Sequence, residues 1–211
     1  ESLGLPLVGV ETHAHLDMGG LEDEASAALD RARAAGVARV GQVFLGPDKY
    51  RANHGLFADR PEVFFILGTH PHDAAQVTDA LLADQAALFT ADRSGQNRLK
   101  AVGEIGLDFF YPDAPSPEVQ LRAFKAQLEL ARALDLPVAV HSREAGAESV
   151  AALEDMGFAD RPVLWHCFGG DWAFAQVILA RGWLLSIPGP VTYAKNGDLM
   201  EAVRHIPLER M

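Results

Sequence analysis

The stretch GVETHAHLDM, residues 9–18, closes an apolar run with two histidines one residue apart, His13 and His15. Side chains on a strand alternate faces, so histidines at this spacing point the same way and can share one ion. One such pair among 8 histidines in 211 residues carries little weight alone. Its weight comes from where the others fall. His70 and His72 in LGTHPHD, Glu104 in AVGEIGLD, His141 in PVAVHSRE and His166 in VLWHCFGG each end a short apolar run, and the starts of those runs carry no histidine.

Seven such runs read as strands: Val8–Thr12, Val37–Leu45, Val63–Gly68, Lys100–Ile105, Pro137–His141, Pro162–Cys167 and Trp183–Ile187. They are short, continuously apolar and bounded by Gly, Pro or charge, as strands covered on both faces are. Between them lie amphipathic patterns that predict helices over Asp23–Ala35, Asp48–Asp59, Ala74–Asp92, Pro117–Leu134, Arg143–Met156, Trp172–Arg181 and Leu199–His205. The clearest places Leu121, Phe124, Leu128 and Ala131 on one face, with Pro117 near the first turn. A strand–helix unit repeated in this way means a parallel sheet wrapped in helices. An open doubly wound sheet and a closed eight-stranded barrel both satisfy it. No glycine-rich phosphate fingerprint follows the first strand, which counts against a nucleotide-binding open sheet. In a barrel, the strand ends that carry the histidines and Glu104 would meet on one rim. No linker or composition shift divides residues 1–211, which read as one domain.

Composition narrows the function classes. Hydrophobic content of 49% and charged content of 22% are globular values rather than those of a disordered chain. No apolar run approaches the roughly 18 residues of a membrane span. ESLGLPLVGV lacks the basic start and cleavage site of a leader. The lone Cys167 fits a reducing cytosol, so a cytoplasmic location is expected. A net charge of −11 has the wrong sign for gripping duplex nucleic acid over many phosphates. It is compatible with taking one strand end into a metal site, where the ion is the largest positive charge. No stable protein partner is expected.

Imidazole and carboxylate together suit zinc, manganese, iron or similar divalent ions, with magnesium on the carboxylate side. A catalytic ion keeps a position open for water and makes hydroxide available near neutral pH. Other residues have plain readings. His54 falls within a helix and His205 near a helix end, where a cation is mildly favoured. Cys167 should face away from His166 as a small buried residue. Trp165, Phe168 and Trp172 suit core or rim packing as well as base stacking. Lys195, after the seventh strand, reads first as a surface lysine.

ETHAHLD, LGTHPHD, VGEIGLDFFY, PVAVHSREA, WHCFGG and GWLLSIPGPVTYAKN, in that order, resemble the TatD family of metal-dependent deoxyribonucleases, within the amidohydrolase-like barrels. The resemblance covers nearly the whole chain. It implies a TIM-type (β/α)8 barrel, and ligation of one or two divalent ions (Mg, Zn or Mn) by His13, His15, Glu104, His141 and His166. Glu104 would bridge a binuclear pair and count among the catalytic groups. His70 and His72 would touch substrate phosphate rather than metal. Arg143 can hold a phosphate with its planar fork, or sit as a solvated charge in the first turn of the next helix. Family members continue into a further strand carrying ETD, whose aspartate is a ligand and proton acceptor. The chain shown has seven strands by this count, so strand eight is expected to be missing from it. Neither Asp17, beyond the first strand, nor Asp108, in the loop after Glu104, is expected to replace that aspartate.

The leading expectation is a phosphodiesterase that removes nucleotides from single-stranded DNA ends, or RNA ends. Its 3′-to-5′ direction is implied by the resemblance alone. The competing expectation is a barrel hydrolase of a small ester, lactone or amide. Several of those carry a carbamylated lysine on strand four, where this chain has Glu104, with Lys100 at the strand's opposite end. A third is a shortened form that binds metal without turnover.

Overall fold

A computed structural model describes residues 5–211. The first four residues of the stretch read above as no leader lie outside the described residues. The strands are β1 Gly9–Ala14, β2 Val37–Leu45, β3 Val63–Gly68, β4 Leu99–Asp108, β5 Val138–Arg143, β6 Val163–Trp165 and β7 Leu184–Leu185. The helices are α1 Ala25–Ala34, α2 Pro47–Asn53, α3 Asp79–Ser94, α4 Pro117–Ala133, α5 Gly146–Asp155, α6 Trp172–Leu179 and α7 Gly197–His205. All seven strands are parallel and lie in chain order, β1 to β7. A doubly wound sheet reverses its order at a switch point, so the open-sheet alternative is excluded.

The sheet is curled into an incomplete barrel. Neighbouring strands sit about 4.8 Å apart, so in a flat sheet β1 would lie about 24 Å from β6. Instead the His13 ring stacks on His166, just past β6, with centroids 3.4 Å apart. Among the described residues no eighth strand joins β7 to β1. Val8, Val10 and Leu184 are exposed along those two edges.

Alternation sorts the core into two layers. Val40, Phe44, Val63, Phe65, Leu67, Val138 and Val140 face outward under the helices. Val43, Ile66, Ala101 and Ala139, with Leu45, Phe64 and Leu164 against them, fill the interior. Continuous hydrophobicity along the strands follows from having both faces covered. Gly68 keeps β3 close to β4: a Cβ there would lie 2.7 Å from the Gly103 carbonyl carbon. Gly106, at φ +145°, has no room for a side chain against the His141 carbonyl.

Several expectations need correction. β4 does not stop at Ile105. A register break between Val102 and Ile105 lets it continue to Asp108, which pairs with Arg143 of β5. Glu104 is therefore mid-strand, and Asp108 is strand-terminal rather than in a loop. Arg143 ends β5 instead of opening a helix, because Glu144 adopts φ +52° and α5 starts only at Gly146. The helix predicted over Ala74–Asp92 is split into a 3-10 segment, Pro71–Gln76, and α3, whose Thr78 side chain caps Leu81 N–H at 3.3 Å. The one over Asp48–Asp59 is α2 followed by a 3-10 turn, His54–Phe57.

Candidate metal centre

Glu104 is 5% exposed and sits at the centre of the site. The register break that lengthens β4 also aims it. Val102, Ile105 and Leu107 all face the outer core, so one extra residue between Val102 and Ile105 turns Glu104 inward. Bulges beside functional sites commonly re-aim a side chain in this way. β1 carries a similar break between Glu11 and Ala14, after which His13 and His15 point inward while Ala14 and Leu16 pack outward. On β5, Ala139 and His141 share the interior face by simple alternation.

Five imidazoles surround the Glu104 carboxylate. His13 Nε2 lies 3.0 Å and His15 Nε2 3.7 Å from Oε2. His141 Nδ1 lies 2.8 Å, and His70 and His166 Nε2 each 3.8 Å, from Oε1. The ligand atoms of His13, Glu104 and His166 all fall within 4.8 Å of one another, and so do those of His70, Glu104 and His141. Glu104 belongs to both groups, one carboxylate between two three-donor sets. His70, expected to touch phosphate rather than metal, is a member of the second set.

Burial disfavours the Glu104 charge, but hydrogen bonds from His13, His141 and His15 outweigh it and hold the carboxyl far below its usual range. Burial lowers His70 to about 4 and His166 to about 3, leaving both as neutral rings with a free lone pair. His141 is also buried, yet Glu104 and Asp108 together raise its pKa. His13 Nε2 faces both His15 Nε2, at 3.2 Å, and the Glu104 carboxylate. One nitrogen cannot offer a separate proton to each. The Nδ1 atoms of both rings are buried without a hydrogen-bond partner among the described residues. Convergent lone pairs around a buried carboxylate fit a divalent cation in chemistry and spacing.

A second carboxylate belongs to the same cluster. Asp108 is 1% exposed, and its Oδ2 lies 3.1 Å from His141 Nε2 and 3.1 Å from His72 Nε2. Its Oδ1 accepts the Phe110 N–H at 3.0 Å. Burial alone would raise its pKa, but the Phe110 N–H and His141 lower it on balance. Sequence reading missed this role by ending β4 at Ile105, although Glu104, Gly106 and Asp108 keep the period of two that marks one strand face. His72 reaches Asp108 rather than Glu104. Arg143 reaches neither carboxylate. It lies over the Phe110 ring at 3.7 Å and donates to the Tyr111 hydroxyl at 3.1 Å.

The remaining singled-out residues lie elsewhere. His54 bonds the Tyr50 carbonyl at 2.9 Å and stacks on that ring. His205 pairs with Glu201 at 2.9 Å on α7. Trp165 and Phe168 are core residues, Trp172 is partly buried, and Lys195 and Lys100 are exposed. Cys167 is exposed, not buried, because the strand ends at Trp165 and the chain turns at φ +50°. Asp17 is held by Gln42 at 2.7 Å and Asn53 at 2.9 Å, outside the cluster.

No helix is long and apolar enough to cross a membrane among the described residues. A family profile described as TatD related DNase matches residues 10–211. The chain is 33% identical over 209 residues to a Mycobacterium tuberculosis protein named "Uncharacterized metal-dependent hydrolase TatD", covering 96% of this chain and 76% of that one. It is 36% identical over 186 residues to a Cronobacter sakazakii protein named "3'-5' ssDNA/RNA exonuclease TatD", covering 87% and 68%. The crystal structure of YJJV, a TatD homolog from Escherichia coli K12, superposes with a TM-score of 0.85 at 27% identity, over 96% of this chain and 76% of that one. With a profile matched over nearly its full length and its histidines and Glu104 gathered as a metal site requires, the chain belongs to the TatD family of metal-dependent hydrolases.

Proposed function

We propose that this hydrolase is a phosphodiesterase acting on the ends of single-stranded DNA or RNA, in the 3′-to-5′ direction, within the cytosol. The observation that carries the reading is Glu104, one buried carboxylate shared by two three-donor sets. That arrangement suits a two-ion site, and paired ions suit in-line displacement at phosphorus. Relatives named as 3'-5' ssDNA/RNA exonucleases support the substrate class. In this reading His13, His15 and His166 with Glu104 hold one cation, and His70 and His141 with Glu104 the other.

Bound divalent cations would supply Lewis acidity at the phosphoryl oxygens and an acidified water. The protein's own residues do the positioning. Glu104 keeps its charge under burial, so it can hold two cations close together. Asp108 grips His141 Nε2 and leaves Nδ1 beside Glu104, the carboxylate–histidine arrangement that orients a metal-binding ring. His72, 40% exposed at its side chain, faces the opening and can donate to a substrate phosphate. The lactonase alternative is less favoured, because Lys100 is exposed at the far end of β4 from the cluster.

The test pairs labelled single-stranded DNA and RNA with a lactone and ester panel, using protein stripped by chelator and reloaded with Mg, Mn or Zn. Cleavage from the 3′ end that vanishes on stripping and returns on reloading is expected. Undiminished cleavage by rigorously metal-free protein, or turnover of lactones alone, would remove this reading.

A further inference from the structure

Phe110 and Tyr111 follow β4 after one intervening residue and are 45% and 42% exposed, whereas Phe44, Phe57 and Phe65 are completely or almost completely buried. Two large rings left open beside a catalytic cluster call for a reason. They are not loose. Their rings meet edge to face at 4.9 Å, the Arg143 guanidinium covers Phe110 at 3.7 Å, and Arg143 Nη1 donates to the Tyr111 hydroxyl at 3.1 Å. On its other side Tyr111 meets the His72 ring at 5.2 Å and 90°. His72 in turn bonds the Asp108 oxygen that also faces His141. The tyrosine is thus fixed one ring away from the metal cluster.

Tyr111 and His72, with Asp113 and Ala114, line a cleft of about 530 Å³, within the usual range for a small-molecule site. Its lining has an aromatic ring and a carboxylate but no lysine or arginine. Beyond His72, which bonds Asp108 on the side of the cluster, such a surface suits a planar, uncharged group bearing hydrogen-bond donors rather than a phosphate. A chain with net charge −11 has little general attraction for a polyanion away from the metal site, so base stacking is a source of affinity that does not depend on phosphate. Stacking also accepts every base, because each has a π-face.

We propose that the His72–Tyr111–Asp113 cleft is the subsite for the nucleoside beside the scissile phosphate, with its base stacked on Tyr111. Arg143 is a positioning residue that holds the Tyr111 ring. The proposal rests on the phosphodiesterase reading, and its test separates the two.

The probes are thymidine 5′-monophosphate and 2-deoxyribose 5-phosphate, which carry the same phosphate, differ by the base and contain no diester to cleave. Their binding to metal-loaded protein is measured by calorimetry. Wild-type protein should prefer the thymidine compound by about fivefold or more, since stacking contributes roughly 1–3 kcal/mol per base. Tyr111→Leu should erase that preference while leaving deoxyribose phosphate binding unchanged, and Tyr111→Trp should retain it. Tyr111 is half-exposed, so folding of both variants is checked simply by matched thermal unfolding. No preference in the wild type, including no measurable binding of either probe, overturns the subsite even if DNA is cleaved. So does a preference that survives Tyr111→Leu. A Tyr111-dependent preference in a protein that cleaves no DNA keeps the subsite and removes the nuclease reading.

Discussion

Glu104 shows how one residue concentrates a site. Its carboxylate is buried, charged and within 3.8 Å of five imidazoles, so its charge organises everything around it. Glu104→Gln keeps the shape but replaces one acceptor oxygen with an amide donor facing ring nitrogens. Metal content should fall, and the hydrolytic rate should drop at least about a hundredfold, since losing even a ligand's outer partner typically costs 10–100-fold. His54→Ala is the matched control. That ring bonds a carbonyl on α2 and should leave rate and metal content within about twofold. Rate and metal content measured on both variants decide the matter: equal losses would mean that the site is centred elsewhere. Period-two spacing was enough to aim His13 with His15 and to place His141 in the same interior. It did not reveal that Asp108 completes the cluster, because ending the strand at Ile105 left Asp108 out of the alternation that Glu104 begins.

At the scale of the element, α4 does more than cover the sheet. Pro117 opens it, and Phe124, Leu128 and Ala131 bury its apolar face, as its periodicity predicts. The same buried side carries two glutamines seven residues apart, Gln120 and Gln127, each 1% exposed. Gln120 accepts the Asp108 N–H at 2.7 Å and donates to the Asp108 carbonyl at 2.8 Å. Gln127 does the same for Thr69, at 2.7 and 3.0 Å. Each amide mimics a neighbouring strand at the end of β4 or just past β3, fixing the backbone that presents Asp108 and His70. Gln120→Leu and Gln127→Leu each strand a buried N–H and C=O, at about 1–3 kcal/mol per unsatisfied group. Urea unfolding should show losses of that order for each. A control, Gln76→Leu, on an exposed side chain, should shift stability by less than about 0.5 kcal/mol. Unchanged midpoints for the α4 variants would refute the clamp. A hydrophobicity pattern counts glutamine as polar, so these positions read as breaks in the apolar face rather than as anchors.

For the molecule as a whole, gathering so many titratable groups in one interior has a cost in acid. Burial lowers His70 to about 4 and His166 to about 3, while an unfolded histidine titrates near 6.5. Between those values the unfolded chain binds protons that the folded chain refuses, so the histidines' contribution is intact above about pH 6.5 and is lost as pH falls. Glu104, whose folded pKa is lowered, acts in the same direction below its unfolded value near 4.5. His141 opposes them: its raised pKa adds stability at low pH that fades as pH rises through the folded value. Metal-free protein should therefore lose thermal stability steadily from pH 7 to pH 4, and His166→Asn should flatten that slope. A melting temperature independent of pH over this range would contradict the assignment of neutral, buried imidazoles.

Local chemistry settled a good deal about this protein before any fold was known. Apolar runs of strand length separated by amphipathic stretches require a parallel sheet under helices, because both faces of each strand must be covered. Six of the eight histidines close those runs, which requires their meeting on one side of that sheet. β2 and β3 span the residues read from the sequence, since continuous hydrophobicity and flanking turns bound them sharply. Tertiary structure alone decided the rest. Sequential strand order selected the curled barrel over the doubly wound sheet, a choice that depends on pairings between residues far apart in the chain. Two register breaks chose which side chains turn inward, and the packing of β4 against β5 carried Asp108 into the cluster. Pattern reading sees one strand at a time, whereas register and curl are properties of strand pairs, set by how closely Gly68 lets β3 approach β4 and by what His141 leaves room for at Gly106.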